Sequence, residues 1–145
     1  MFKRIFSLFG WTALMLLMTG VLTAAAPVPN TTIELAGEGL PSVMNVGDTA
    51  TVVVNVTSDQ PFLSAQALPD FYYPGRGVVA VAGGDHAGQA TTATLSITFK
   101  AKGSTAWMQE QPEHQGRAPV SVVVGVRYAG GYVVAQRFDF MVQVP

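Results

Sequence analysis

Four stretches of the chain alternate between apolar and polar side chains, and this period of two constrains the fold more than any other feature. They cover residues 49–57, 93–101, 120–128 and 132–144. In the second stretch, "ATLSITFKA", every odd-numbered position is apolar and the even-numbered positions hold Thr, Ser and Lys. Successive side chains on an extended backbone point to opposite faces. Each stretch is therefore predicted to be a β-strand with one face in a core and the other in water.

Weaker alternation and turn residues complete the strand pattern. Residues 31–35, 62–68 and 77–82 predict three further strands, and no stretch after Pro27 has convincing helical periodicity. The Gly130-Gly131 pair in "YAGGY" predicts a tight antiparallel hairpin between the last two strands. About seven strands in about 120 residues predict an all-β fold, a two-sheet antiparallel β-sandwich.

The N-terminus has the order of a secretory signal. Lys3 and Arg4 precede an apolar run over residues 5–22, which ends in small residues. Removal after Ala25 is the first interpretation; a retained membrane anchor helix is the second, because about 20 apolar residues can span a bilayer. The predicted organisation is a signal or anchor over 1–25, a Pro-rich spacer over 26–31 and a β-sandwich domain over 32–145. We expect an extracytoplasmic location, secreted, periplasmic or on the cell surface, with membrane association through residues 5–25 under the second interpretation.

Composition excludes several classes of function. The chain is 49% hydrophobic and 12% charged, its formal net charge is −1, and no run of Lys or Arg follows position 4. Nucleic acid is therefore not an expected partner. The absence of cysteine excludes disulfides, thiolate metal sites and cysteine nucleophiles. Because the sequence also lacks G-x-S-x-G, H-E-x-x-H and phosphate-binding glycine motifs, we expect no enzymatic activity and no cofactor.

Three stretches carry a resemblance to a known architecture. They are "NVGDTATVVVNV" (45–56), "ATLSITFKA" (93–101) and "APVSVVVGVRYAGGYVVAQRFDFMVQV" (118–144). Together they resemble the immunoglobulin-like β-sandwich domains of exported bacterial proteins. The chain departs from antibody domains, since it has no cysteine pair between sheets, no Trp on the third strand, and Tyr128 at the end of the penultimate strand. The resemblance implies the architecture and an adhesive, structural or carbohydrate-contacting role.

The segment "LPDFYYPGRG" (68–77) is the first candidate binding site. Its prolines and glycines suit a turn that crosses from one sheet to the other. That role does not require three aromatic residues in a row. On an extended backbone Phe71 and Tyr73 share one side, so we expect them to pack inward and leave Tyr72 and Arg76 as an exposed pair.

Trp107 is the second candidate binding residue. It lies in the connection over 102–119, which is longer than a compact sandwich needs. Trp107 either closes one open end of the sandwich or, if exposed, forms part of an interaction site.

The two histidines are weak candidates for a metal site. His86 follows Asp85 and His114 follows Glu113, in two polar loops that could supply nitrogen and carboxylate ligands to zinc or copper. Neighbouring residues on extended backbone point to opposite sides, which favours solvated loop residues instead.

Three functions follow from these residues. The first is a non-enzymatic exported module that binds a protein or a glycan at the cell surface or in the periplasm. The second is a membrane-tethered structural accessory subunit of a larger membrane complex. The third, a minor alternative, is a metal-binding exported protein.

Overall fold

The computed structural model describes residues 26–70, 77–104, 106–110 and 116–145, without the side chains of Trp107 and Met108. No helix within these ranges is long and apolar enough to cross a membrane. The strands are β1 (Thr31–Leu35), β2 (Thr49–Pro69), β3 (Val78–Ala82), β4 (Gly84–Ala101), β5 (Arg117–Arg127) and β6 (Val133–Gln143). A one-turn helix α1 (Ala106–Glu110) precedes β5, and a 3-10 turn (Ala129–Gly131) precedes β6.

The six strands form one hydrogen-bonded antiparallel sheet in the order β3, β4, β2, β5, β6, with β1 also on β2. β2 lies beside β4 for nearly its whole length. The other edge of β2 is shared, since β1 pairs with residues 54–58 and β5 pairs with residues 64–69. β2 and β4 are therefore shared by two groups of strands, one at each end of the β2–β4 pair. The first group adds β1 and β3 to them, and the second adds β5 and β6.

A bulge separates the two groups. Thr57 pairs with Thr92, but the next paired residue of β2 is Phe62, opposite Ala90. Four residues of β2 therefore lie opposite the single Thr91 of β4. Extra residues on one strand bend it and increase its twist. The long β2–β4 pair turns here and carries the second group over the first.

Both groups bury their apolar faces in a single core. Phe62 is fully buried beside the bulge, and each Val, Leu or Ile buried around it contributes about 1.5–3 kcal/mol relative to an exposed side chain. The core includes Val52, Val54, Leu95, Ile97 and Phe99 from the first group, and Ala65, Ala67, Val122, Val124, Val126 and Val142 from the second.

Tyr128 ties the two groups together with polar contacts. Its side chain is buried at the end of β5, and its ring meets Phe62 edge-on with centroids 6.4 Å apart. The phenol donates to Ser58 Oγ in the bulge at 2.8 Å and bonds Thr31 Oγ1 of β1 at 2.5 Å. Since the single phenolic proton goes to Ser58, the Thr31 hydroxyl is the donor in the second bond. Tyr128 therefore satisfies its hydroxyl while joining β5, β2 and β1.

The connection between β1 and β2 packs against β6. Met44 N donates to Gln143 O at 3.0 Å, and Gln143 N donates to Ser42 O at 2.8 Å. Gly39 has φ +81°, and a Cβ at that position would overlap the Phe140 ring. Glycine is needed there for both reasons, conformation and space.

The predicted antiparallel hairpin of the last two strands is confirmed, with Arg127 opposite Val133. So is the predicted inner face of β5, where Val120, Val122, Val124 and Val126 are buried.

Other expectations were wrong. About seven strands in two sheets were expected, but residues 49–57 and 62–68 form one strand in a single sheet, because the chain bulges at 58–61 without turning away from β4. β4 begins at Gly84 rather than Ala93, since pairing with β2 extends a segment that has no apolar alternation. The one-turn helix α1 was not expected, and one turn is too short to show periodicity.

Substitution of Gly39 tests the packing of this connection. We expect Gly39→Ala to lower the free energy of unfolding by about 3 kcal/mol, from an unfavourable positive φ and an overlap with Phe140. Gly47→Ala is the matched control, because φ is +93° and no atom lies within 4 Å of the added Cβ. It should cost only about 1–2 kcal/mol. Equal losses for the two variants in urea unfolding would contradict the overlap.

Candidate functional site

Most of the predicted site residues lie outside the described residues. Phe71, Tyr72, Tyr73 and Arg76 fall in the segment 71–76, hereafter the aromatic loop. The expected inward and outward directions of their side chains therefore stay predictions. Trp107 lies in α1, with its side chain outside the description, so both interpretations of it stay open. What the structure describes is how the two ends of the aromatic loop are held.

The first end of the loop is bound to β5 and β6. Asp70 follows the last residue of β2, and its backbone N–H donates to Ser121 O of β5 at 2.9 Å. Its carboxylate Oδ2 accepts from Nη1 of Arg137 on β6 at 2.6 Å. The backbone and the side chain of Asp70 are thus both held before the loop begins.

Four polar side chains form this attachment: Asp70, Ser121, Arg137 and Asp139, hereafter the Arg137 cluster. Arg137 Nε donates to Asp139 Oδ1 at 2.8 Å, and Arg137 Nη2 donates to Ser121 Oγ at 2.9 Å. The Ser121 hydroxyl donates to the same Asp139 oxygen at 2.6 Å. Arg137 and Asp139 are two residues apart on one strand and so share a face. The three guanidinium nitrogens of Arg137 therefore connect β6 to Asp70 at the end of β2 and to Ser121 on β5.

Hydrogen bonds within the cluster stabilise the ionised forms of Asp139 and Arg137. The hydrogen bond from Ser121, followed by the one from Arg137, holds the pKa of the Asp139 carboxyl below its usual 3.8. The hydrogen bond to Asp139 raises the pKa of Arg137. The side chains of Arg137 and Asp139 are 54% and 66% exposed, and solvent screens an ion pair as exposed as this one. The cluster therefore fixes geometry more than it adds stability.

The second end of the loop is bound to the other group of strands. Lys102 N donates to Gly77 O at 2.6 Å, and Val78 pairs with Ala101 at the end of β4. Gly77 has φ +76°, a conformation that favours glycine. Pro69 pairs with β5 and Val78 pairs with β4, so the residues that flank the loop belong to different groups of strands within one sheet, and not to two sheets as predicted. Six residues span the gap between the two groups of strands.

His86 lies in β4 and not in a loop as predicted. It pairs with Ala65 of β2, and its ring meets Phe62 edge-on at 5.9 Å between centroids. Its Nε2 is enclosed and has no hydrogen-bond partner among the described residues. No three side chains of His, Cys, Asp or Glu come together within the described ranges, and His114 lies outside them. His86 also lines a groove of about 480 Å³, together with Asn55, Val56, Thr57, Thr92, Ala93 and Thr94.

A second aromatic surface, which the sequence did not predict, lies beside the bulge, at the hairpin between β5 and β6. Tyr132 packs on Tyr128 with ring centroids 6.1 Å apart and remains 44% exposed. The spacer lies against this end, since Gln60 Nε2 donates to Pro27 O at 3.0 Å and Asn30 N donates to Asp59 Oδ1 at 2.9 Å. The two tyrosines that flank Gly130-Gly131 were the signal for this surface.

Comparison with known proteins yields a weak structural similarity. No family model matches the chain, and no curated protein matches it. Among solved structures the chain is similar to a part of E. coli alpha-2-macroglobulin in its native conformation, determined by cryo-EM. The identity is 18%, the TM-score is 0.44, and the match covers 83% of this chain but 7% of that one.

The hydrogen bond from Ser121 can be tested through the titration of Asp139. We expect carboxyl NMR shifts to give Asp139 a pKa below 3.8, and Ser121→Ala to raise that pKa because the leading donor is lost. Thr94→Ala, which removes a hydroxyl bound to Asn55, should leave Asp139 unchanged.

The same lowered pKa fixes how stability depends on pH. A carboxyl with a lowered folded-state pKa stabilises the fold above its unfolded pKa, and this contribution is lost as the pH falls through the folded value. Asp139→Asn should therefore cost less than about 1 kcal/mol at pH 7, and its difference from wild type should vanish in acid. A difference that persists below the folded pKa would contradict this assignment.

Proposed function

We propose that the protein is a non-enzymatic extracytoplasmic binding module with an immunoglobulin-like architecture, and that it binds a protein or glycan partner through the aromatic loop. The observation that carries the proposal is the attachment of both loop ends. Asp70 is held by Ser121 and Arg137, and Gly77 is held by Lys102. Export is supported by the N-terminal sequence pattern, and the absence of enzymatic activity by the lack of catalytic motifs.

A short loop whose two ends are held in place binds a partner more tightly than a freely flexible one. A partner must otherwise offset the conformational entropy lost when a flexible segment becomes ordered. Here only six residues lie between two positions that the sheet holds in place. Binding loops on rigid scaffolds are a common arrangement, because the scaffold fixes the positions from which the contacting side chains project.

The composition of the loop suits an interface. Phe71, Tyr72 and Tyr73 offer large side chains with few rotatable bonds, and Arg76 adds a planar cation. Tyr and Arg are among the residue types that carry most of the energy in interfaces. Aromatic side chains also stack on sugar rings, so the same loop suits a glycan as well as a protein. A turn between strand groups needs the prolines and glycines but not these aromatics.

A capture experiment with paired variants tests the proposal. We expect the Tyr72→Ala, Tyr73→Ala double variant to bind its captured partner at least about tenfold more weakly than wild type, because two interface aromatics are lost. The bait is incubated with the extracytoplasmic fraction of the source cells. The partner is the protein that wild type captures and that the double variant captures in a smaller amount. A glycan array covers the second class of partner.

Tyr132→Ala is the matched control, since it removes an exposed tyrosine beside the bulge and far along the chain from the loop. It should capture the same partner as wild type. Equal capture by wild type and the double variant would show that the aromatic loop is not the site.

A further inference from the structure

The spacer and the hairpin between β5 and β6 form one exposed surface, hereafter the hairpin end: Val28, Tyr128, Ala129 and Tyr132. Val28 is 68% exposed and Tyr132 is 44% exposed. All four residues line a pocket of about 160 Å³, together with three prolines. No charged side chain lines this pocket among the described residues. The described part of the chain thus leaves an uncharged, largely apolar surface in water.

Hydrogen bonds hold the start of the described chain at the hairpin end. Gln60 of the bulge donates through Nε2 to Pro27 O at 3.0 Å. Asn30 N donates to Asp59 Oδ1 at 2.9 Å, and Asp59 N donates to Asn30 O at 3.2 Å. The spacer is therefore not a free linker, and the chain at Pro27 is fixed beside Tyr132.

The apolar run over residues 5–22 ends a short distance before this fixed point. Residues 23–25 alone connect Leu22 to Ala26, so these two residues lie at most about 14 Å apart. A run of this length suffices for a helix that crosses a bilayer, and the headgroup region on each side of the hydrocarbon core is about 5–8 Å thick. A membrane-spanning run therefore brings the hairpin end against the headgroups.

We propose that residues 5–22 remain as a membrane anchor and that the hairpin end rests on the lipid bilayer, with Val28 and Tyr132 among the headgroups. Tyr is enriched at membrane interfaces, where its ring meets apolar chains and its hydroxyl meets water. Removal of the run would leave this apolar surface in water, whereas the bilayer covers it. The partner that fits the surface is thus a lipid membrane, supplied by the chain's own anchor.

This orientation directs the aromatic loop away from the membrane. Asp70, where the loop begins, bonds Ser121, which lies seven residues before Tyr128 and so about 23 Å away along β5. The membrane holds one end of the domain, and the opposite end presents the loop. The inference goes beyond the proposed function and does not depend on what the loop binds.

Single labels in the full chain test which end faces the lipid. The chain has no cysteine, so an introduced one can carry a fluorophore alone. Met141→Cys is the matched control for Tyr132→Cys, because Met141 is 39% exposed and lies nine residues further along the chain, in β6. In phosphatidylcholine vesicles with a headgroup quencher, the Tyr132→Cys label should be quenched at least about threefold more strongly, since about 30 Å separates the two positions.

The label at position 132 reports the surface and not the tether, because it is far from the anchor in sequence. Ala129→Cys, an exposed position of the same hairpin, should behave alike and serves if Tyr132→Cys fails to fold. Quenching at neither end would overturn the contact with lipid. Equal quenching at both ends would overturn the orientation.

Fractionation of the source cells tests the anchor itself. We expect the chain to stay with the membranes after an alkaline carbonate wash, and mass spectrometry to find residues 5–25 still attached. A soluble chain that begins at Ala26 would overturn the proposal. Capture of a partner by the aromatic loop is measured separately, so a failure here is distinguishable from a failure of the proposed function.

Discussion

The bulge at residues 58–61 is the feature on which the rest of the structure depends. β2 and β4 remain paired on both sides of it, so two groups of strands share one continuous pair and bury a common core. Ser58 is buried within the bulge, and its hydroxyl accepts a hydrogen bond from the hydroxyl of Tyr128, whose ring packs on Phe62. A buried polar pair with its hydrogen bond made stabilises one bend angle over others, because leaving either hydroxyl without a partner would cost about 1–3 kcal/mol.

The position of the aromatic loop follows from this bend. The loop leaves the second group of strands at Asp70 and enters the first at Gly77, so the distance that it spans is set by how the groups lie over one another. The Arg137 cluster adds little to stability because the side chains of Arg137 and Asp139 are more than half exposed. Its contribution is to direct the chain at the point where β2 ends. The bend sets the span and the cluster sets the starting direction.

Some of these features could be predicted from the sequence because their cause is local. Alternation in residues 120–126 defined the buried face of β5, and Gly130-Gly131 defined the hairpin. The first half of β4 could not be predicted, because its Gly, Thr and Ala residues form a strand only through pairing with β2. In the Arg137 cluster, Arg137 and Asp139 are visibly two residues apart, but the contact with Asp70 depends on the register of three strands. His86 was predicted to lie in a loop for the same reason, because the part of β4 that contains it is a strand only through its pairing with β2.

The most direct test of the account is the affinity of Arg137→Ala for the captured partner. Removing the guanidinium frees the Asp70 carboxylate without touching an aromatic side chain. We expect this variant to bind several-fold more weakly than wild type, with a melting temperature lowered by only a few degrees. Arg127→Ala, an exposed arginine at the end of β5, should bind like wild type. Unchanged affinity of Arg137→Ala would show that holding the loop at Asp70 does not matter for binding.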